Sequence, residues 1–95
     1  MIASEKLEMI RQRFAFIEAK LSDGAEASEL ASLGREYAEL KPVVEQIDAY
    51  QIYLEAQIDA TAMLDDPEMR DLAQEELQDI REKLPKAERA ITQAL

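Results

Sequence analysis

A regular spacing of apolar residues along the middle of the chain constrains the fold more than any other feature. Between residues 28 and 64 these residues recur in alternating steps of three and four, interrupted once at Gln51. We call this row the central seam, and its members are Leu30, Leu33, Tyr37, Leu40, Val44, Ile47, Leu54 and Ile58. Such spacing is typical of a helix in a coiled-coil-like bundle. The seam predicts a helix about 55 Å long, which needs partner helices because an isolated apolar stripe is unstable in water.

Two further helices are predicted to supply those partners, one over about residues 4–21 and one over 67–94. The first has Ser4 as its expected N-cap and ends before Gly24, which is free to adopt positive φ. Its apolar residues are Leu7, Ile10, Phe14, Ile17 and Leu21. The third is expected to begin at Pro67, with Asp66 as its N-cap. Its apolar residues are Met69, Leu72, Ala73, Leu77, Ile80, Leu84, Ala87, Ile91 and Ala94.

Pro42 lies inside the central helix and allows two interpretations. It could divide the stretch into two helices, because proline removes a backbone hydrogen bond and crowds the preceding turn. The seam keeps its phase from Leu40 through Val44, however, and a true break would usually reset it. We therefore predict one continuous helix over about 28–64 with a kink at Pro42, and for the same reason a kink at Pro85.

Short links between the helices predict an antiparallel three-helix bundle. The first helix is too short to cover the whole central helix. Residues 47–84 are therefore expected to form a two-helix hairpin that protrudes beyond a three-helix base. In that base we expect a core shared by Leu33, Leu40, Ile91, Phe14 and Ile17.

Charge is unevenly distributed along this acidic chain, whose net charge is −10. Residues 1–41 hold eight acids and six bases, whereas residues 42–95 hold thirteen acids and five bases. No basic residue stands between Pro42 and Met69. Direct nucleic-acid binding and binding to an anionic membrane are disfavoured, because both require Lys and Arg. A solvated surface and a basic protein partner both remain compatible with this charge.

Candidate residues for catalysis or metal binding are scarce. The chain contains no His and no Cys, so it has neither the usual neutral-pH acid–base group nor a thiolate site. No phosphate loop or nucleophile motif occurs, and we expect no cofactor, no metal and no enzymatic activity. With no apolar run long enough to span a membrane and no signal-peptide pattern, we expect a cytoplasmic protein.

Acidic residues gather where the central helix gives way to the third helix. They are Asp59, Asp65, Asp66, Glu68 and Asp71, with Arg70 as the only base among them. Their spacing is not that of a calcium loop, and helix capping explains much of the pattern. We treat the five as candidate partner-binding residues, because crowded carboxylates at a projecting end favour a basic partner.

Two segments of the chain resemble a known family. They are 33–45, Leu-Gly-Arg-Glu-Tyr-Ala-Glu-Leu-Lys-Pro-Val-Val-Glu, and 66–77, Asp-Pro-Glu-Met-Arg-Asp-Leu-Ala-Gln-Glu-Glu-Leu. Their order and spacing are similar to those in the N-terminal domain of bacterial peptide chain release factor 1, a class I release factor. Release factor 2 has a similar layout, but these two segments are closer to factor 1. Pro85 departs from the pattern of that domain.

The resemblance implies a part in translation termination. Release factors recognise a stop codon and promote peptidyl-tRNA hydrolysis on the ribosome, using a Pro-X-Thr type tripeptide and a Gly-Gly-Gln motif in later domains. Neither motif occurs in this sequence. The chain is thus expected to be a monomeric positioning module that meets the ribosome, through a ribosomal protein near the stalk base. The alternative is a free-standing acidic helical adaptor or coiled-coil interaction domain.

Overall fold

The computed structural model describes residues 2–95, which fold into three helices. They are α1 (Ser4–Ser22), α2 (Ala27–Met63) and α3 (Arg70–Ala94). No strand occurs among the described residues, so the all-α prediction is confirmed. Over the same residues, no helix combines the length and apolar character needed to cross a membrane.

The central helix runs without interruption through Pro42, as α3 does through Pro85. The interpretation in which Pro42 separates two helices is therefore wrong. Proline removes only one hydrogen bond, and burial of Val43 and Ile47 immediately after it stabilises the helical path. The kinks expected at the two prolines stay predictions.

The turn between α1 and α2 contains Gly24 in a positive-φ conformation, as the sequence predicted. Gly24 has φ of +85°, a conformation that costs little without a Cβ. The Asp23 backbone N–H closes α1 by donating to the Ala19 carbonyl at 2.9 Å. At the other end of α1 the prediction of Ser4 as N-cap is wrong, because Ser4 is already helical and Ala3 precedes it without a side-chain cap.

The third helix begins at Arg70 rather than at residue 67. Asp66 and Pro67 instead open a tight turn, which the Met69 N–H closes by donating to the Asp66 carbonyl at 3.0 Å. Asp at the first position and Pro at the second suit such a turn. The prediction of Asp66 as the N-cap of a helix beginning at Pro67 is therefore wrong, because the same two residue types favour both a turn and a helix start.

The helices are staggered, so the molecule is elongated, with extents of 60 × 26 × 18 Å. Among the described residues, α1 and α3 each pack along α2 and make no close backbone approach to one another. On α2, α1 reaches as far as Gln51, whose Oε1 accepts a hydrogen bond from Arg11 at 2.8 Å. Beyond that point α2 and α3 continue as the two-helix hairpin predicted from the sequence.

The main apolar cluster lies where all three helices overlap. Its buried members are Leu7, Val43, Ile47, Tyr50 and Ile91. Leu84 packs against this cluster. The expected core that joins Ile91 to Ile17 and Leu33 is wrong, because Ile91 packs instead in the cluster with Leu7, Val43 and Ile47. Ile17 and Leu33 are buried outside this cluster.

Candidate functional site

The candidate site is the turn at the end of the α2–α3 hairpin, residues 59–71, which we call the hairpin tip. After α2 ends, the backbone hydrogen bonds join residues three apart. The N–H groups of Asp65 and Asp66 donate to the carbonyls of Ala62 and Met63 at 3.4 and 3.0 Å. The Asp66 carboxylate then accepts the Glu68 N–H at 3.0 Å. Asp66 thus fixes the local backbone, which is a structural role independent of any partner.

All five acidic residues proposed from the sequence are exposed. Asp65, Asp66 and Glu68 lie together with Pro67 in the segment between α2 and α3. Asp71 lies near the start of α3 and Asp59 near the end of α2. Over the described part of the chain, no three acidic side chains are grouped so as to hold a metal ion. The tip therefore presents separate carboxylates that can each accept hydrogen bonds from basic side chains.

Arg70 has a role at the tip that the sequence did not reveal. Its Nε donates to the Leu64 carbonyl at 3.1 Å, just past the end of α2. A cation at this place also complements the negative end of the α2 dipole. The one base of the tip is therefore engaged with the turn's own backbone, a contact between residues six apart that no spacing rule predicts.

A buried tyrosine holds the base of the hairpin. The Tyr50 hydroxyl donates to Oε1 of Glu88 at 3.2 Å, and the ring is only 3% exposed. Burial, followed by the charge of Glu88, raises the pKa of Tyr50 above its ordinary value. This contact joins α2 to α3 where the hairpin leaves the three-helix region, and so it helps to fix the direction in which the tip projects.

The other end of the molecule is held by contacts between α1 and α2. The rings of Phe14 and Tyr37 stack with their centroids 5.0 Å apart. Beside them the Arg13 guanidinium donates two bonds of 2.7 Å to the Glu36 carboxylate, which lowers the pKa of Glu36. The sequence predicted that Tyr37 and Phe14 both face partner helices, but it predicted neither their stacking nor the ion pair.

Known proteins match the chain over its whole length. The PCRF domain family matches residues 10–95. Peptide chain release factor 1 of Dinoroseobacter shibae is 50% identical over 95 residues, and that of Ruegeria pomeroyi is 47% identical over 95 residues; in both, the match covers 100% of this chain and 27% of the relative. The protein of the same name from Gluconobacter oxydans is 43% identical over 96 residues. No solved structure matches the chain.

These matches include both segments that carry the resemblance, 33–45 and 66–77. The chain spans about a quarter of the length of the curated relatives it matches, 27% in each of the two just compared in full. The resemblance to release factor 1 is confirmed, and it covers all three helices. By its sequence, the chain belongs to the PCRF domain family.

Proposed function

We propose that the chain acts in translation termination, as the part of a release factor that precedes the codon-reading and hydrolytic regions. The observation that carries this proposal is the 50% identity to peptide chain release factor 1 over all 95 residues. An independently evolved adaptor would not be expected to share half of its residues, including exposed ones, with such a protein. The adaptor interpretation is accordingly not favoured.

Within such a factor the chain is a positioning module that meets the ribosome. Its elongated shape allows one end to contact a partner while the other stays near the remainder of the factor. The chain has two glycines, Gly24 and Gly34, and so it has no Gly-Gly-Gln motif. We infer that the chain alone does not hydrolyse peptidyl-tRNA, works without a cofactor and acts in the cytoplasm as a monomer. A peptide-release assay on stop-codon ribosomes, with the isolated chain, tests the first of these inferences.

The hairpin tip is the surface that we assign to the ribosomal contact. Asp59, Asp65, Asp66, Glu68 and Asp71 are exposed, and Arg70 is held by the Leu64 carbonyl. A basic ribosomal protein near the stalk base suits this surface, whereas rRNA phosphates would be repelled by it. Exposed charges of this kind mainly increase the rate of encounter.

Stopped-flow binding of the full-length factor to ribosomes tests the assignment. The variant changes Asp65→Asn, Asp66→Ser and Asp71→Asn together, because Ser at position 66 can still accept the Glu68 N–H. We expect the association rate to fall severalfold at low salt and the difference to shrink at high salt. The control is Glu75→Gln with Glu76→Gln, which removes exposed charge from α3 outside the tip. Equal rates for the tip variant, the control and the parent would refute the assignment.

A further inference from the structure

The central seam continues beyond the helix that covers it. Ile47, Gln51, Leu54 and Ile58 follow one another at steps of four, three and four residues, and so they lie along one face of α2. Ile47 is completely buried, whereas Ile58 is 69% exposed. The same face is thus core at one point and open surface about three turns later. We call Leu54, Ile58 and Ala62 the uncovered seam, of which Leu54 is partly buried and the other two are exposed.

The position of the N-terminal end of α1 along α2 explains this change in exposure. At its N-terminal end α1 packs Leu7 into the cluster that contains Ile47 and Tyr50. A groove then opens beside Ile2, Ala3 and Ser4, and its floor on α2 is formed by Tyr50, Gln51 and Leu54. Ile58 lies one turn of α2 beyond Leu54, past the residues that line this groove. The uncovered seam therefore lies in line with α1, on the surface that a further helix would occupy.

The way α1 binds α2 shows which chemistry suits that surface. Leu7 of α1 packs against the seam, while Arg11 lies 3.4 Å from the Asp48 carboxylate and donates to Gln51. An apolar residue and a base, one helical turn apart, thus meet an apolar seam with an acidic residue beside it. Any helix that continues this arrangement along α2 would need the same two features.

The uncovered seam repeats that pattern of residues. Glu55 follows Asp48 by seven residues, which places it on the same side of α2 two turns later. Asp59 follows Glu55 by four residues, and both acids are exposed. No basic residue of the chain lies between Pro42 and Met69 to offset them within α2. A second copy of this acidic chain is a poor match for such a surface, whereas a positively charged helix is a good one.

We propose that the uncovered seam is a docking surface for a basic amphipathic helix of a partner protein. The helix lies in line with α1, places apolar side chains on Leu54 and Ile58, and directs Lys or Arg towards Glu55 and Asp59. This surface is on the side of the hairpin. It shares Asp59 and Ala62 with the hairpin tip but does not include the turn that follows α2. The proposal is independent of the ribosomal role, because the experiment that tests the proposal uses a free peptide and no ribosome.

The probe is a fluorescent peptide of about 15 residues built from Leu, Lys and Ala, with Leu at helical spacing on one face. A second peptide has the same composition with the leucines distributed around the helix, and a third keeps the leucine pattern with Glu in place of Lys. We expect the intact 95-residue chain to bind the first peptide measurably more tightly than the other two, by fluorescence anisotropy. Equal binding of the first two peptides would mean unspecific charge attraction and would overturn the proposal.

Two exposed isoleucines of α2 provide a matched pair of variants. Ile58 is 69% exposed and Ile52 is 64% exposed, but they lie about 120° apart around the helix. We expect Ile58→Ser to weaken binding of the first peptide by about tenfold or more, and Ile52→Ser by less than about twofold. Thermal melts of both variants show that each stays folded. Equal losses for the two variants would overturn the proposal.

Backbone amide NMR shifts locate the bound peptide independently of the variants. We expect the largest shifts between residues 51 and 62, and weaker binding with less salt dependence for Glu55→Gln. Shifts centred on α1 would mean that the peptide displaces α1, and dimerisation of the free chain through Ile58 would mean that a second copy occupies the seam. Either result would overturn the proposal.

Discussion

The Tyr50 hydroxyl donates a hydrogen bond to Oε1 of Glu88 at 3.2 Å, across the interface between α2 and α3. The two residues are 38 positions apart in sequence, and they meet only because the turn at 64–69 folds α3 back along α2. The contact lies at the edge of the main apolar cluster, to which Tyr50 itself belongs. It therefore links the packing of the core to the direction of the hairpin.

Removing this hydroxyl is expected to destabilise the chain modestly. Tyr50→Phe keeps the buried ring but loses the bond to Glu88, and it should lower the free energy of unfolding by about 1 kcal/mol. Tyr53→Phe is the control, because Tyr53 is only partly buried and should lose less than about 0.5 kcal/mol. Urea unfolding of both variants measures the difference. Identical losses would show that the Tyr50–Glu88 bond does not contribute to stability.

Two phenylalanines of α1 are expected to differ strongly in their effect on stability. Phe14 stacks on Tyr37, whereas Phe16 is 49% exposed and lies beside the cations of Arg13 and Lys20. Phe14→Ala should cost about 2–4 kcal/mol, and Phe16→Ala about 1 kcal/mol or less. Chemical denaturation of both variants is the measurement. If Phe14→Ala cost no more than Phe16→Ala, α1 would not be docked through the Phe14–Tyr37 stack.

The ion pair between α1 and α2 predicts a loss of stability in acid. The hydrogen bonds from Arg13 lower the pKa of Glu36 below its ordinary value of 4.5. A depressed folded pKa contributes stability that is present above the unfolded pKa and is lost as pH falls through the folded pKa. Glu36→Gln should therefore flatten the dependence of unfolding free energy on pH below about 4.5. Arg13→Gln should change that slope in the parent but not in the Glu36→Gln background, and a change in both would exclude the pair as its cause.

Neighbouring aspartates at the hairpin tip are expected to differ in structural importance. Asp66 accepts the Glu68 N–H at 3.0 Å, whereas Asp65 donates only its own backbone N–H to Ala62. Asp66→Ala should lower the free energy of unfolding by about 1 kcal/mol, while Asp65→Ala should stay within about 0.5 kcal/mol. Hydrogen exchange at the Glu68 and Met69 amides gives a local measurement. Equal protection in the two variants would contradict the role of the Asp66 carboxylate in holding the turn.

The sequence by itself determined the class of fold and the family. Alternating steps of three and four define helical faces whatever the rest of the chain does, so the central seam predicted α2 through Pro42. Gly24 predicted the turn between α1 and α2. That turn depends on the backbone conformation of a single residue, which the residue type itself favours. The segments 33–45 and 66–77 identified the release factor resemblance without any structure.

Only the tertiary structure decided how far each helix covers the next. The seam has the same spacing at Ile47 and Ile58, but one is buried and the other exposed, because burial depends on where α1 begins against α2. Local sequence predicted a helix start at Asp66 and Pro67, but the structure has a turn there. Contacts of the Asp66 carboxylate with Glu68 and of Arg70 with Leu64 accompany this turn. Contacts between distant residues, such as Tyr50 with Glu88, depend on helix register, which a single sequence does not specify.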